Sequence, residues 1–194
     1  WGLDWLLKMH PKDDWMFNQI GDDRDHMGMR IPKEDTNYYG PGLERPVYFI
    51  NGEPQQRGKF MNATTGTSST AGKFVSAFAL GSKIFEKTIP TYSDLLLQKA
   101  FSAFNFANKI PGVTQTVSVK SPYIYAEENW FDDMELAMVY VLSKDKLTTH
   151  KAVIQQTLMD YAKAEPITPW LGSDTAKHYQ WYPFINLGHY ELAK

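Results

Sequence analysis

Apolar residues recur at helical spacing along most of this chain, and the pattern predicts helices joined by aromatic-bearing loops. Residues 68–87 place Phe74, Phe78 and Phe85 on one stripe, with Ala71, Ala77 and Gly81 leaving room for a close neighbour. Ser68 or Ser69 is the expected cap, because a short hydroxyl side chain accepts from the first unbonded amides. A second helix is predicted over 93–109, opening at Ser93 with Asp94 in its first turn. It turns Leu97, Ala100, Phe101 and Phe104 inward and stops at Pro111-Gly112. A third spans 129–143, where Asp132 and Asp133 meet the positive helix end. A fourth spans 146–164 and sets Leu147, Ile154, Leu158 and Tyr161 on one face before Pro166.

Both ends carry the same pattern in incomplete form. Trp1, Trp5 and Met9 share a helix face with Leu6 beside them, no cap precedes them, and Pro11 ends the run. From Phe184 to Lys194 a helical pattern begins after Pro183 and meets no terminating Gly or Pro. Helices that run off both ends suggest an internal segment of a longer domain. Strand signals are few. Val47 to Ile50, followed by Asn51-Gly52, predicts an edge strand or hairpin, and the alternation from Val113 to Val119 predicts another. Residues 11–66 show no helical pattern, and a connection of that length is usually functional or disordered. Its Trp15, Phe17, Tyr38, Tyr39, Tyr48 and Phe49 argue against disorder, so an ordered loop forming part of a cleft is expected.

Composition narrows the function. With 194 residues the chain can bury one sizeable core. Its 20 Lys+Arg against 22 Asp+Glu give no basic surplus for a nucleic-acid partner. No apolar run approaches the roughly 20 residues that span a bilayer. The absence of cysteine excludes disulfides, thiolate metal sites and cysteine nucleophiles. Aromatic residues make up 14% of the chain; flat apolar faces suit sugar rings, and equally suit a packed core.

Three clusters could carry chemistry. Asp22-Asp-Arg-Asp-His26, after Gly21, could bind a sugar, bind a cation or catalyse, but its spacing reads more readily as a turn with local ion pairs. Tyr123 to Asp133 gathers Glu127, Glu128, Asn129, Asp132 and Asp133. Helix capping explains the last three best, and a hard cation such as calcium is the competing use. His178-Tyr-Gln-Trp-Tyr-Pro-Phe184 is either an aromatic platform at a helix mouth or core filling. His10, His150 and His189 lie apart in sequence and read as structural. There is no phosphate-binding glycine loop, no G-x-S-x-G and no H-E-x-x-H.

In order along the chain, several stretches resemble family nine glycoside hydrolases of the cellulase type. Trp1-Gly-Leu-Asp-Trp-Leu-Leu-Lys-Met9 resembles the helix after the family's first catalytic motif, and Gly21 to His26 its Asp-His loop. Arg45 to Asn51, Ala71 to Leu80, Ser121 to Leu136 and Trp181 to Leu192 resemble later family segments. The resemblance implies an all-α fold, with this chain supplying about half of an (α/α)6 barrel with long aromatic-rich loops. Residues 1–194 would then be a partial catalytic domain truncated at both ends. It also implies β-1,4-glucan hydrolysis with inversion, an Asp as general base and a Glu as general acid.

Neither of those carboxylates is matched in this chain, so the chain alone is expected to be inactive. The resemblance assigns substrate contacts to Arg24, Asp25 and His26, and sugar stacking to Tyr179, Trp181, Tyr182 and Trp130. No cofactor is expected. Glu128, Asp132 and Asp133 are weak calcium candidates, weakened further because Trp181-Tyr-Pro-Phe184 stands where the family places a companion carboxylate. The implied partner is a β-glucan polysaccharide or oligosaccharide, and the implied location is secreted, periplasmic or at the cell surface. Two other readings compete: a non-catalytic glycan-binding protein that keeps the cleft aromatics, and a sugar epimerase or lyase on the same fold.

Overall fold

Helix α2 (Ser68–Phe85) organises the rest of the chain in the computed structural model, which describes residues 1–21, 47–50, 64–115, 129–144, 151–165 and 186–194. Its stripe is apolar enough for two neighbours. Ala71, Val75, Phe78 and Ala79 are buried, against α3 (Pro90–Lys109) on one side and α4 (Phe131–Leu142) on the other. α4 in turn packs on α5 (Lys151–Ala164) and α6 (Leu187–Ala193). α1 (Gly2–Met9) lies against α2, with Leu3 seated on Gly81: a Cβ there would stand 2.6 Å from Leu3 Cδ1, and the leucine would have to move.

The remaining described elements are two short strands, β1 (Phe17–Ile20) and β2 (Val47–Phe49), paired antiparallel. Phe17 faces Phe49 and Ile20 faces Val47, with an irregularity between Phe17 and Gln19. The predicted strand at Val47 is therefore present, but its described partner is β1. An aromatic trio braces the pair: Phe17 and Phe49 have ring centroids 4.6 Å apart, and Trp15 meets Phe49 edge-on at 5.1 Å.

Several boundaries differ from the sequence expectation for physical reasons. α3 begins at Pro90, before the expected Ser93, because proline's fixed φ and missing amide suit a helix's first turn. Ser93 lies inside the helix and is buried, donating to the Ser82 carbonyl at 2.6 Å. Leu96, Ala103 and Phe106 are buried alongside Ala100, while Leu97, Phe101 and Phe104 are half-buried. At α2 the capping position is Thr67. Ser68 Oγ instead donates to the Ala107 carbonyl at 2.7 Å, and Ser69 Oγ accepts the Thr114 amide at 2.9 Å.

Those hydroxyls also account for residues 113–115, which are not strand. Their amides go to Thr65, Ser69 and Thr64 side chains, leaving no ladder there; residues 116–119 lie outside the described part. On α1, Trp1 is 98% exposed and Trp5 45%, so their shared face is not the packing face. Met9 is buried, and Leu3, Leu6 and Leu7 pack on the core. α5 buries Ile154 and Leu158 as the pattern predicts, with Tyr161 beside them; Leu147 lies outside the described residues.

Candidate functional site

The candidate sugar contacts divide by position. Arg24, Asp25, His26, Tyr179, Trp181 and Tyr182 lie outside the described residues, as does Glu128. Trp130 is described, at the start of α4. It stacks on Phe131 with centroids 4.1 Å apart, meets Tyr161 edge-on at 5.9 Å and packs on the core, so one ring face is already covered.

Asp132 and Asp133 diverge. Asp133 receives Lys73 of α2 at 2.8 Å. Asp132 lies within electrostatic reach of Glu135 and Glu165 and raises the proton affinity of both. Among the described residues no group of three or more His, Asp or Glu is arranged to hold a metal ion.

What α4, α5 and α6 do bring together is a buried polar cluster. Glu135 sits on the α4 face otherwise formed by Met134, Ala137, Met138 and Val141, and is completely buried. Its Oε1 accepts from His189 Nδ1 of α6 at 2.8 Å. Its Oε2 is buried with no hydrogen-bond partner among the described residues, and a Cβ at Gly188 would stand 2.7 Å from it. Glu165 follows α5 and is 4% exposed; its Oε2 accepts from Asn129 Nδ2, while its Oε1 is buried without a partner among the described residues. Asn129 in turn accepts the Trp130 and Phe131 amides at 2.8 and 3.1 Å, linking the cluster to the start of α4.

The electrostatics follow from burial. Loss of water pushes Glu165 up to about 7, opposed by its bond from Asn129 and reinforced by Asp132. Burial also raises Glu135, while the neighbouring imidazole pulls it back. Two acids, one on α4 and one just after α5, are thus both shifted by burial toward binding a proton. Such a cluster can hold helices in register and bind a proton. Its burial keeps both carboxyls from a polymeric substrate.

Sequence reasoning missed this cluster. Beside Asp132 and Asp133, Glu135 looks like a further helix-start acid. The available signal was its place on the Met134–Ala137–Met138–Val141 stripe. His189, which stands alone in sequence, is the Glu135 partner from 54 positions away. His10 also has partners, while His150 lies outside the described residues.

Comparison with known proteins adds the wider context. The family described as Glycosyl hydrolase family 9 matches residues 1–186. The chain is 29% identical over 143 residues to Endoglucanase 6 of Arabidopsis thaliana, covering 73% of this chain and 20% of that protein. To Endoglucanase 14 of the same plant it is 26% identical, covering 83% of this chain and 28% of the relative. Among solved structures, an endoglucanase from the termite Nasutitermes takasagoensis superposes with a TM-score of 0.71 at 22% identity. That match covers 98% of this chain and 38% of the termite protein. The likeness establishes the fold: the helices are part of an (α/α)6 barrel. The chain spans between 20% and 28% of the length of these plant relatives.

Proposed function

The chain belongs to glycosyl hydrolase family 9, and from that premise we propose that it builds part of the cleft of an inverting β-1,4-glucan hydrolase of the endoglucanase type. In this reading the general base and general acid are not among its 194 residues. The observation that carries the reading is the family match along residues 1–186, from a chain spanning only 20% of its relative Endoglucanase 6. Inversion needs two carboxyls held roughly 6.5–9.5 Å apart across the sugar, with an attacking water between them. Glu135 and Glu165, the described carboxyls most altered by burial, are closed off by helices, which supports a structural use for both.

The proposed division of labour follows from side-chain chemistry. His26, with Asp25 and Arg24, hydrogen-bonds a sugar near the point of cleavage. Tyr179, Trp181 and Tyr182, with the open part of Trp130, offer flat apolar faces to glucose rings. A polymeric glucan cannot cross a membrane intact, so a secreted, periplasmic or surface location goes with this reading. Incubating the 194-residue polypeptide with barley β-glucan or carboxymethylcellulose tests it. The expected result is no release of reducing ends above a no-protein control. Clear turnover would place the proton-handling acids inside this chain and overturn the proposal.

A further inference from the structure

His10 ends α1 and is completely buried. Its Nδ1 lies 3.0 Å from the Trp15 carbonyl oxygen, which only accepts, so Nδ1 carries a hydrogen. Its Nε2 lies 2.9 Å from Ser102 Oγ on α3, and Ser102 in turn donates to Asp13 Oδ1. A hydroxyl has one hydrogen to give. With His10 neutral, Ser102 can satisfy Nε2 or Asp13 but not both. With His10 as imidazolium every bond closes: Nδ1–H to Trp15, Nε2–H to Ser102, and Ser102 O–H to Asp13.

We infer that His10, Ser102 and Asp13 form a proton-operated latch, which closes all three bonds between the turn after α1 and α3 when it holds one extra proton and loses one of the two Ser102 bonds when it does not. The latch borders a groove of about 730 Å³ that Asp13 shares with Asp14, Lys99, Ser102, Asn105 and Lys109. The charged groups around the ring are accounted for. Lys99 donates to the His10 and Pro11 carbonyls at 2.8 and 3.0 Å, and Asp14 receives Lys109 at 2.5 Å. Asp13 and Asp14 favour the imidazolium, while burial, the largest influence, and Lys99 oppose it. His10 therefore takes up its proton below the usual histidine value of 6.5. The turn itself is tight: Asp14 adopts φ 58°, and Lys12 and Trp15 pair across it.

Imidazole ¹⁵N shifts of His10 and the side-chain carboxyl ¹³C shift of Asp13, followed across the acid range in the 194-residue chain, test the latch. The expected neutral form has hydrogen on Nδ1 and a bare Nε2; both nitrogens are protonated at low pH, and Asp13 reports the same midpoint as His10. Asp13→Asn and Ser102→Ala should each lower the His10 midpoint, by about one pH unit for loss of the carboxylate. Ser102→Thr keeps the hydroxyl and should behave like the parent, so it serves as the control if Ser102→Ala fails to fold. A neutral form with hydrogen on Nε2, or a midpoint unmoved by Asp13→Asn, would overturn the latch.

Discussion

Replacing Glu165 by Gln should stabilise the protein in mild alkali and leave it nearly unchanged in acid. In the folded chain Glu165 is pushed up to about 7 from its ordinary 4.5. A carboxyl with a raised value binds its proton more tightly folded than unfolded. Its contribution is fully present below the unfolded value and is lost as pH rises through the folded one. The difference is about 2.5 units, and at about 1.4 kcal/mol per unit it amounts to about 3 kcal/mol.

Above about pH 8 the parent must keep a buried carboxylate, with an Oε1 unpartnered among the described residues, beside Asp132 and Glu135. Gln has the same shape and accepts the Asn129 bond without that charge. Denaturant unfolding of both proteins at about pH 4.5 and about pH 8 would read the effect. The variant should be more stable by up to about 3 kcal/mol at the higher pH, or roughly 6–12 °C in melting temperature. Equal stability at both pH values, or a parent that gains stability as pH rises through 7, would refute the reasoning.

Two further substitutions probe the packing. Gly188→Ala would place a Cβ 2.7 Å from Glu135 Oε2, so the Glu135 side chain or α6 must shift. The expected cost is about 1–3 kcal/mol in urea unfolding, together with loss of the His189–Glu135 signature in imidazole ¹⁵N shifts. Phe78→Ala would empty the centre of the α2 stripe, where Phe78 is 0% exposed and meets Phe74 edge-on at 5.9 Å. A loss of about 3–5 kcal/mol is expected from the unfolding midpoint, and a loss under about 1 kcal/mol would mean the core is not built as described.

Much of the helical framework was legible in the sequence because amphipathic periodicity is a local signal. α2, α4 and α5 lie within the expected stretches, and α2 and α5 bury most of the expected faces. Features that depend on distant partners were not legible. β1, reading Phe-Asn-Gln-Ile, lacks clear alternation and is held by β2 from beyond a long connection. Residues 113–115 alternate like a strand, yet their amides are taken by hydroxyls near the start of α2. The buried cluster joins Glu135 to His189 across 54 positions, and the latch joins His10 to Ser102 across 92, so no spacing rule exposes either. The predicted contacts at 24–26 and 179–182 rest on family resemblance and lie outside the described residues.

The proposed cleft role requires that residues 24–26 and 179–182 of this chain meet β-1,4-glucan while the proton-handling acids lie elsewhere. Titrating the 194-residue protein with cellohexaose, while following backbone amide shifts and analysing the sugar afterwards, tests both halves in one sample. The account predicts saturable shifts centred on residues 24–26 and 179–182, loss of those shifts in Trp181→Ala, and cellohexaose recovered whole. No saturable shift at either segment, or the appearance of shorter oligosaccharides, would contradict it.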